Sequence, residues 1–198
     1  MPQYVQTLNT ILSLGTILLQ ALFIAILFVF IFKKSKDSSI LKFLARHTFL
    51  LVFLLGLSGL LMSLLYSEII GFPACELCWW QRLFIYPQVL LFGFLLFRPL
   101  SNFKKLISSI GVFLATVGSL ISIFHIYIEH GGSSSLACAG DSTTAVTCTA
   151  RYVYEFGYIT IPVMALTVSL SIFLLLMIYK YYQNVSIKSY DNKEDFIG

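Results

Sequence analysis

Charged residues are scarce in this sequence. Only 11% of its 198 residues are Asp, Glu, Lys or Arg, whereas 58% are hydrophobic. Soluble domains carry charge on about a quarter of their residues, so this composition excludes an ordinary soluble domain. Proline is also rare, at five residues, and cysteine occurs only four times. The few cysteines exclude a small disulfide-rich scaffold.

Long hydrophobic runs take the place of the missing charge. Five apolar stretches, each long enough to cross about 30 Å of hydrocarbon as a helix, lie at residues 10–32, 48–66, 79–97, 106–128 and 157–179. They leave no segment that could form a separate soluble domain. The sequence therefore predicts an all-α integral membrane bundle, with residues 1–198 as one membrane domain.

The basic residues predict how the bundle is oriented. Eleven of the thirteen lie between spans one and two, between spans three and four, or after span five: Lys33, Lys34, Lys36, Lys42, Arg46, Arg98, Lys104, Lys105, Lys180, Lys188 and Lys193. The positive-inside rule then places the amino terminus outside the cytoplasm and the tail at 181–198 inside. The net charge of +4 reflects this topology and indicates no nucleic-acid surface.

The first span could instead be a cleaved signal peptide. However, no Lys or Arg precedes it in Met1–Thr10, and its apolar run is longer than the hydrophobic region of a signal peptide. We therefore expect a retained helix.

The four cysteines form two pairs on the outer side. Cys75 and Cys78 follow a short loop and begin span three, where the helix dipole and unpaired N–H groups favour a thiolate. We expect Cys78 to be the more acidic and more buried of the two. Cys138 and Cys148 lie in the loop at 129–154, whose Gly, Ser, Thr and Ala content predicts a mobile extracytoplasmic redox loop.

Arg82 lies one helical turn below Cys78, where its charge favours a thiolate or an anionic oxygen of a bound electron acceptor. An interfacial anchor is the alternative for this arginine. Four cysteines could also bind a structural zinc, although nine residues separate Cys138 from Cys148 and zinc knuckles usually have two tight pairs. A structural disulfide between those two is a further alternative. A transporter is disfavoured, because no ionisable residue lies in the middle of a span.

Two local patterns concern packing. Gly111, Ala115 and Ser119 recur every fourth residue in span four and predict close contact with neighbouring helices. Pro87 and Pro162 fall inside spans three and five, where each is expected to kink its helix or loosen a turn.

These residues together resemble a known family. The segments that carry the likeness are Cys75-Glu76-Leu77-Cys78-Trp79-Trp80-Gln81-Arg82, Tyr86-Pro87, His125, the Cys138 and Cys148 loop, and Phe156-Gly157-Tyr158-Ile159-Thr160-Ile161-Pro162. They are similar to the DsbB family of membrane disulfide-bond formation proteins, and most of all to its BdbC-type branch. The likeness covers residues 48–180 as a four-helix core, so the span at 10–32 is an additional helix without a role in the family pattern.

The resemblance implies a function. Cys138 and Cys148 would accept electrons from a soluble thioredoxin-fold, DsbA-like thiol oxidase, with Cys138 forming the mixed disulfide. Cys75 would exchange with the loop pair, and Cys78 would pass electrons to a membrane quinone, ubiquinone or menaquinone, near Arg82. His125 would hydrogen-bond a quinone oxygen or supply a proton, or else only bond a neighbouring helix. The implied location is the bacterial cell membrane, with both cysteine pairs extracytoplasmic.

Overall fold

The computed structural model describes residues 3–32, 39–98, 103–132 and 148–194, with side chains described as far as residue 184. The helices are α1 (Gln3–Phe32), α2 (Ser39–Leu64), α3 (Glu76–Phe97), α4 (Lys104–Glu129) and α5 (Ile161–Glu194). All five are long and apolar enough to cross a membrane. The predicted helical membrane bundle is confirmed.

α5 lies at the centre of the helix contacts. It packs against α4, α2 and α1, while α3 packs between α2 and α4. The largest apolar core joins α2, α3, α4 and α5, and its buried members are Val52, Phe92, Leu95, Ile107, Ala115, Ile172, Leu175 and Leu176. α1 lies outside this core, against α5.

Small residues let α4 approach its neighbours closely. Gly111, Ala115 and Ser119 are all buried, as the four-residue repeat predicted. A Cβ atom on Gly111 would lie 2.6 Å from the Phe92 ring and 2.9 Å from Leu176. The space that this glycine leaves is therefore filled by side chains of α3 and α5.

α5 begins later than the predicted span. Phe156 and Gly157 have φ values of 52° and 80°, in a turn closed by hydrogen bonds between the backbones of Glu155 and Ile159 at 2.9 and 3.0 Å. The helix begins at Ile161, so Pro162 lies in its first turn, where a helix has no N–H bond to lose. The expectation that Pro162 interrupts a helix is wrong. Pro87 does lie inside α3.

The connections at the Cys75 end of the bundle frame the site. A π-helical turn at Leu65–Ile69 continues α2 and shortens the link to α3. On the other side, α4 ends at Glu129, and the chain is described again from residue 148. Cys138 and the rest of 133–147 lie outside the described residues, so the expected mobility of that loop stays a prediction.

The contact at Gly111 generates a stability prediction. We expect Gly111→Leu to destabilise the protein by about 1–3 kcal/mol, because overpacking forces the Phe92 and Leu176 side chains to move. The midpoint of thermal unfolding in detergent measures the change. Gly15→Ala is the control, since a Cβ there meets nothing within 4 Å. Equal midpoints for the two variants would contradict the close contact.

Candidate active site at the start of helix α3

Cys75 is the N-cap residue of α3. Its backbone is extended, with φ of −72° and ψ of 169°, and its sulfur accepts a hydrogen bond from the Cys78 backbone N–H at 3.4 Å. Caps of this kind satisfy N–H groups that the first helical turn leaves unpaired. The C-x-x-C spacing therefore places Cys75 at the cap and Cys78 three residues later, in the first turn of the helix.

The two sulfurs and a histidine form one hydrogen-bonded chain. Cys75 Sγ lies 2.9 Å from Cys78 Sγ and 3.7 Å from His125 Nε2. Gln81 Nε2 lies 3.4 Å from His125 Nδ1, and an amide donating there leaves the imidazole proton on Nε2. That proton then points at Cys75. His125 and Gln81 are 3% and 6% exposed, so water competes little for these bonds.

This hydrogen-bonded series of side chains favours a thiolate on Cys75. The hydrogen bond from the Cys78 side chain lowers the pKa of Cys75 well below its usual range; burial opposes this, and the His125 hydrogen bond lowers the pKa further. Cys75 is also the buried member of the pair, while Cys78 is half-buried. The expectation that Cys78 is the more buried cysteine is wrong, and the cap position places Cys75, not Cys78, between two donors.

Arg82 is buried beside the cysteines and is only 5% exposed. Its Nε donates to Ser63 Oγ at 2.8 Å and its Nη2 donates to the Ser63 carbonyl at 3.0 Å. The guanidinium also lies 5.0 Å from the centroid of the Trp79 ring. The side chain of an interfacial anchor would extend to water, whereas this side chain is buried and joins α3 to the last turn of α2.

Sequence reasoning missed one buried acid. Glu129, one helical turn after His125, is 7% exposed, and its Oε2 accepts a hydrogen bond from Thr160 Oγ1 at 2.8 Å. The Nη2 of Arg151 donates to the backbone carbonyl of Glu129 at 2.6 Å. The i, i+4 spacing from His125 is the signal that could have found it, but a carboxylate at the end of a span also fits an exposed boundary residue.

Cys148 completes the site. It is 3% exposed and packs in one apolar cluster with Cys75, Leu77 and Ile128. It is disulfide-bonded, whereas Cys75 and Cys78 are free thiols. A cavity of about 60 Å³, enough for a few water molecules, is lined by Cys75, Cys78, Cys148, His125, Glu129 and Arg82 among others. The structure therefore brings five of the six predicted site residues together, and the sixth, Cys138, is not described.

A larger apolar groove adjoins this cavity. Its volume is about 380 Å³, within the range of small-molecule pockets, and residues of α1, α2, α3 and α5 line it. Five residues line both spaces: Ser63, Tyr66, Gln81, Arg82 and Ile161. His125 is not among the described residues that line the groove. Its predicted contact with a quinone stays a prediction, and its described contact is with Cys75.

Three of the described residues could contribute ligands to a zinc ion. Cys75, Cys78 and His125 present ligand atoms within 4.8 Å of one another. The two sulfurs are 2.9 Å apart, closer than the separation of about 3.8 Å that two thiolates take around a tetrahedral zinc with 2.3 Å bonds. Cys148 is disulfide-bonded and is not a thiolate ligand in this state. The arrangement fits thiol–disulfide chemistry better than the alternative of a four-thiolate zinc site.

The cap geometry makes a pH prediction. In protein whose Cys138 and Cys148 are both replaced by Ser, thiolate ultraviolet absorbance should report one thiolate that persists well below about pH 8.5, the pKa of an ordinary cysteine. A lowered pKa means that the thiolate is lost only when the pH falls through the lowered value. Cys78→Ala removes the main donor and should move the titration to higher pH. Cys78→Ser keeps a hydroxyl donor and should move it less; superimposable curves would contradict the assignment.

The chain is similar to proteins of one known family. The profile of the family described as disulfide bond formation protein DsbB matches residues 45–179. A probable disulfide formation protein of Oceanobacillus iheyensis is 37% identical over 140 residues, 66% of this chain and 87% of the relative. Disulfide bond formation protein C of Bacillus subtilis is 37% identical over 128 residues, 63% of this chain and 86% of the relative.

No solved structure matches the chain. The family match nevertheless covers well over half of it, including the described cysteines, His125 and four of the five helices. The protein is therefore a member of the DsbB family, a multi-pass membrane protein of disulfide bond formation.

Proposed function

We propose that this protein is a disulfide-forming oxidoreductase that reoxidises a soluble, DsbA-like thioredoxin-fold thiol oxidase and passes the electrons to a membrane quinone. Cys138 and Cys148 receive the electrons, and Cys75 and Cys78 carry them inward. The observation that carries the proposal is the shared wall between two spaces: the cavity that holds the sulfurs and the apolar groove meet at Arg82 and Gln81.

The thiol steps balance as exchanges. The dithiol of the partner reduces the Cys138–Cys148 disulfide, becomes a disulfide itself and leaves two thiols on the loop. Those thiols then reduce a Cys75–Cys78 disulfide, so two electrons and two protons move to the inner pair. Cys75 can serve both as the leaving thiolate and as the attacking thiolate in these exchanges, because Cys78 and His125 both stabilise its negative charge.

We assign proton transfer to the buried groups around the small cavity. His125 Nε2 contacts the Cys75 sulfur, and the Glu129 carboxylate lines the same cavity. We infer that a few water molecules there connect the two groups. The cavity can therefore take up the proton of an attacking thiol and return it to a leaving thiolate.

The groove fits a quinone by shape and polarity. Its walls are mostly apolar, and its polar end is formed by Arg82, Gln81 and Ser63. Two of the five N–H groups of Arg82 donate to Ser63; the other three have no acceptor among the described residues. A ubiquinone or menaquinone supplies an acceptor for the two electrons and two protons of the Cys75/Cys78 dithiol. Arg82 would orient it and favour negative charge on its oxygen.

The proposed topology follows from charge. We place the protein in the bacterial cell membrane with the amino terminus and both cysteine pairs outside the cytoplasm and the carboxyl terminus inside. The basic residues cluster at the opposite end of the bundle from Cys75, which supports this orientation.

Cys78→Ser tests the relay. Purified protein given quinone and reduced thioredoxin-fold partner should bleach the oxidised-quinone absorbance, and Cys78→Ser should not, because no Cys75–Cys78 disulfide can form. The variant should still form a mixed disulfide with the partner, which non-reducing electrophoresis detects. Quinone reduction at the wild-type rate in Cys78→Ser would refute the relay. Stoichiometric zinc that thiol alkylation releases would favour the metal-binding alternative instead.

Arg82→Gln tests the polar end of the groove. We expect the KM for quinone to rise about ten- to a hundredfold, the value of one or two charge-assisted hydrogen bonds, with partner oxidation in a single turnover unchanged. Arg98→Gln is the matched control, since Arg98 follows the other end of α3. An equal effect of both substitutions would show that Arg82 contributes only general charge.

A further inference from the structure

α1 lies outside the region that the family profile matches, yet it forms one wall of the apolar groove. Its contributing residues are Ile11, Leu12, Gly15, Thr16 and Leu19. They share one helix face by their spacing of three and four residues, and from first to last they cover about 12 Å along the helix. Ile11 is 60% accessible and lies at the edge of this face, and Leu14 and Leu18, which do not line the groove, are 53% and 64% accessible.

Polar side chains fix this wall at both ends. The Tyr66 hydroxyl donates to Asn9 Oδ1 at 2.8 Å. Deeper along α1, Gln20 accepts from the Tyr158 hydroxyl at 2.8 Å and donates to Thr167 Oγ1 at 3.0 Å. Amides within a membrane helix are costly unless they are paired, so these three bonds set both the rotation and the depth of α1. Tyr66 and Thr167 themselves line the groove.

We propose that α1 is a specificity-determining element of the quinone site, in which Leu12 and Leu19 bind the ring and the first part of the isoprenoid tail and exclude bulk lipid. This inference rests on the proposed function and adds a role for a helix that the family profile does not include. Without that wall, the groove beside α2, α3 and α5 would open to the bilayer, and a quinone would be held mainly by its polar end.

A quinone is favoured over a phospholipid as the occupant. The polar end at Arg82 is buried and adjoins the sulfur cavity, whereas a phospholipid headgroup would have to leave the membrane surface to reach it. A compact ring with two acceptor oxygens and an apolar tail matches three available N–H groups at one end and apolar walls along the rest.

A pair of adjacent leucines provides the test. Leu19→Trp fills the groove, and Leu18→Trp makes the same change on the exposed face. The readouts are the amount of quinone that co-purifies, measured by extraction and chromatography, and the KM for a short-chain ubiquinone or menaquinone analogue. We expect Leu19→Trp to lose most of the bound quinone and to raise the KM on the order of tenfold, while Leu18→Trp matches wild type.

Gly15→Phe provides a second groove variant, because a Cβ there meets nothing within 4 Å, and Leu14→Phe is its control. Both groove variants should still accept electrons from the reduced partner in a single turnover. If wild type binds and reduces quinone but both groove variants do so equally well, the role of α1 is refuted and the relay stands. If wild type neither binds nor reduces quinone, the proposed function fails and this inference with it. Loss of a co-purifying phospholipid with unchanged quinone content would also refute it.

Discussion

The bonds from Arg82 to Ser63 are the constraint on which the site depends. A guanidinium that is 5% exposed within a membrane helix carries a desolvation cost of several kcal/mol unless hydrogen bonds satisfy it. Both oxygens of Ser63 do so, and they thereby join the last turn of α2 to the first turns of α3. The same bonds hold the guanidinium between the sulfur cavity and the apolar groove. The positions of the cysteines and of the groove are therefore not independent of each other.

The two spaces that meet at Arg82 differ in size and in polarity. The smaller cavity holds thiols, an imidazole and a carboxylate, a set of groups that can exchange protons through a few water molecules. The larger groove is mostly apolar. This division suits the proposed relay, in which thiols exchange protons in the smaller cavity and a quinone in the groove would accept two electrons and two protons. Among the described residues, the buried Arg82, His125 and Glu129 all line the smaller cavity.

The sequence predicts those parts of the structure that depend on composition and spacing. Five spans follow from hydrophobic length, the close packing of α4 follows from Gly111, Ala115 and Ser119, and the neighbourhood of Cys75, Cys78 and Arg82 follows from helical periodicity. The remaining features depend on contacts between distant segments. Which cysteine is acidic depends on a cap geometry and on His125, fifty residues away.

The predicted start of α5 is too early because it follows the beginning of the apolar run. The positive φ values of Phe156 and Gly157 instead form a turn before the helix. The hydrogen bond that satisfies the buried Glu129 comes from Thr160, the residue before α5. The contribution of α1 to the groove was not predicted either, because hydrophobic length alone was used to identify this span and length does not indicate which face of a helix is packed. Asn9, Ser13, Thr16 and Gln20 recur every three or four residues and mark the packed face, on which Asn9, Ser13 and Thr16 are buried.

The cap at Cys75 links the oxidation state of the protein to the integrity of a helix end. As a free thiolate, Cys75 holds the first turn of α3 through the Cys78 amide; as half of a Cys75–Cys78 disulfide, it would hold the same turn covalently. Only while Cys75 is bonded to a sulfur from elsewhere is this turn without either restraint, at a cost of about 1 kcal/mol for a lost cap. The fraying of α3 would then be confined to the exchange intermediate, and regaining the cap or the disulfide would favour resolution of that intermediate in either direction.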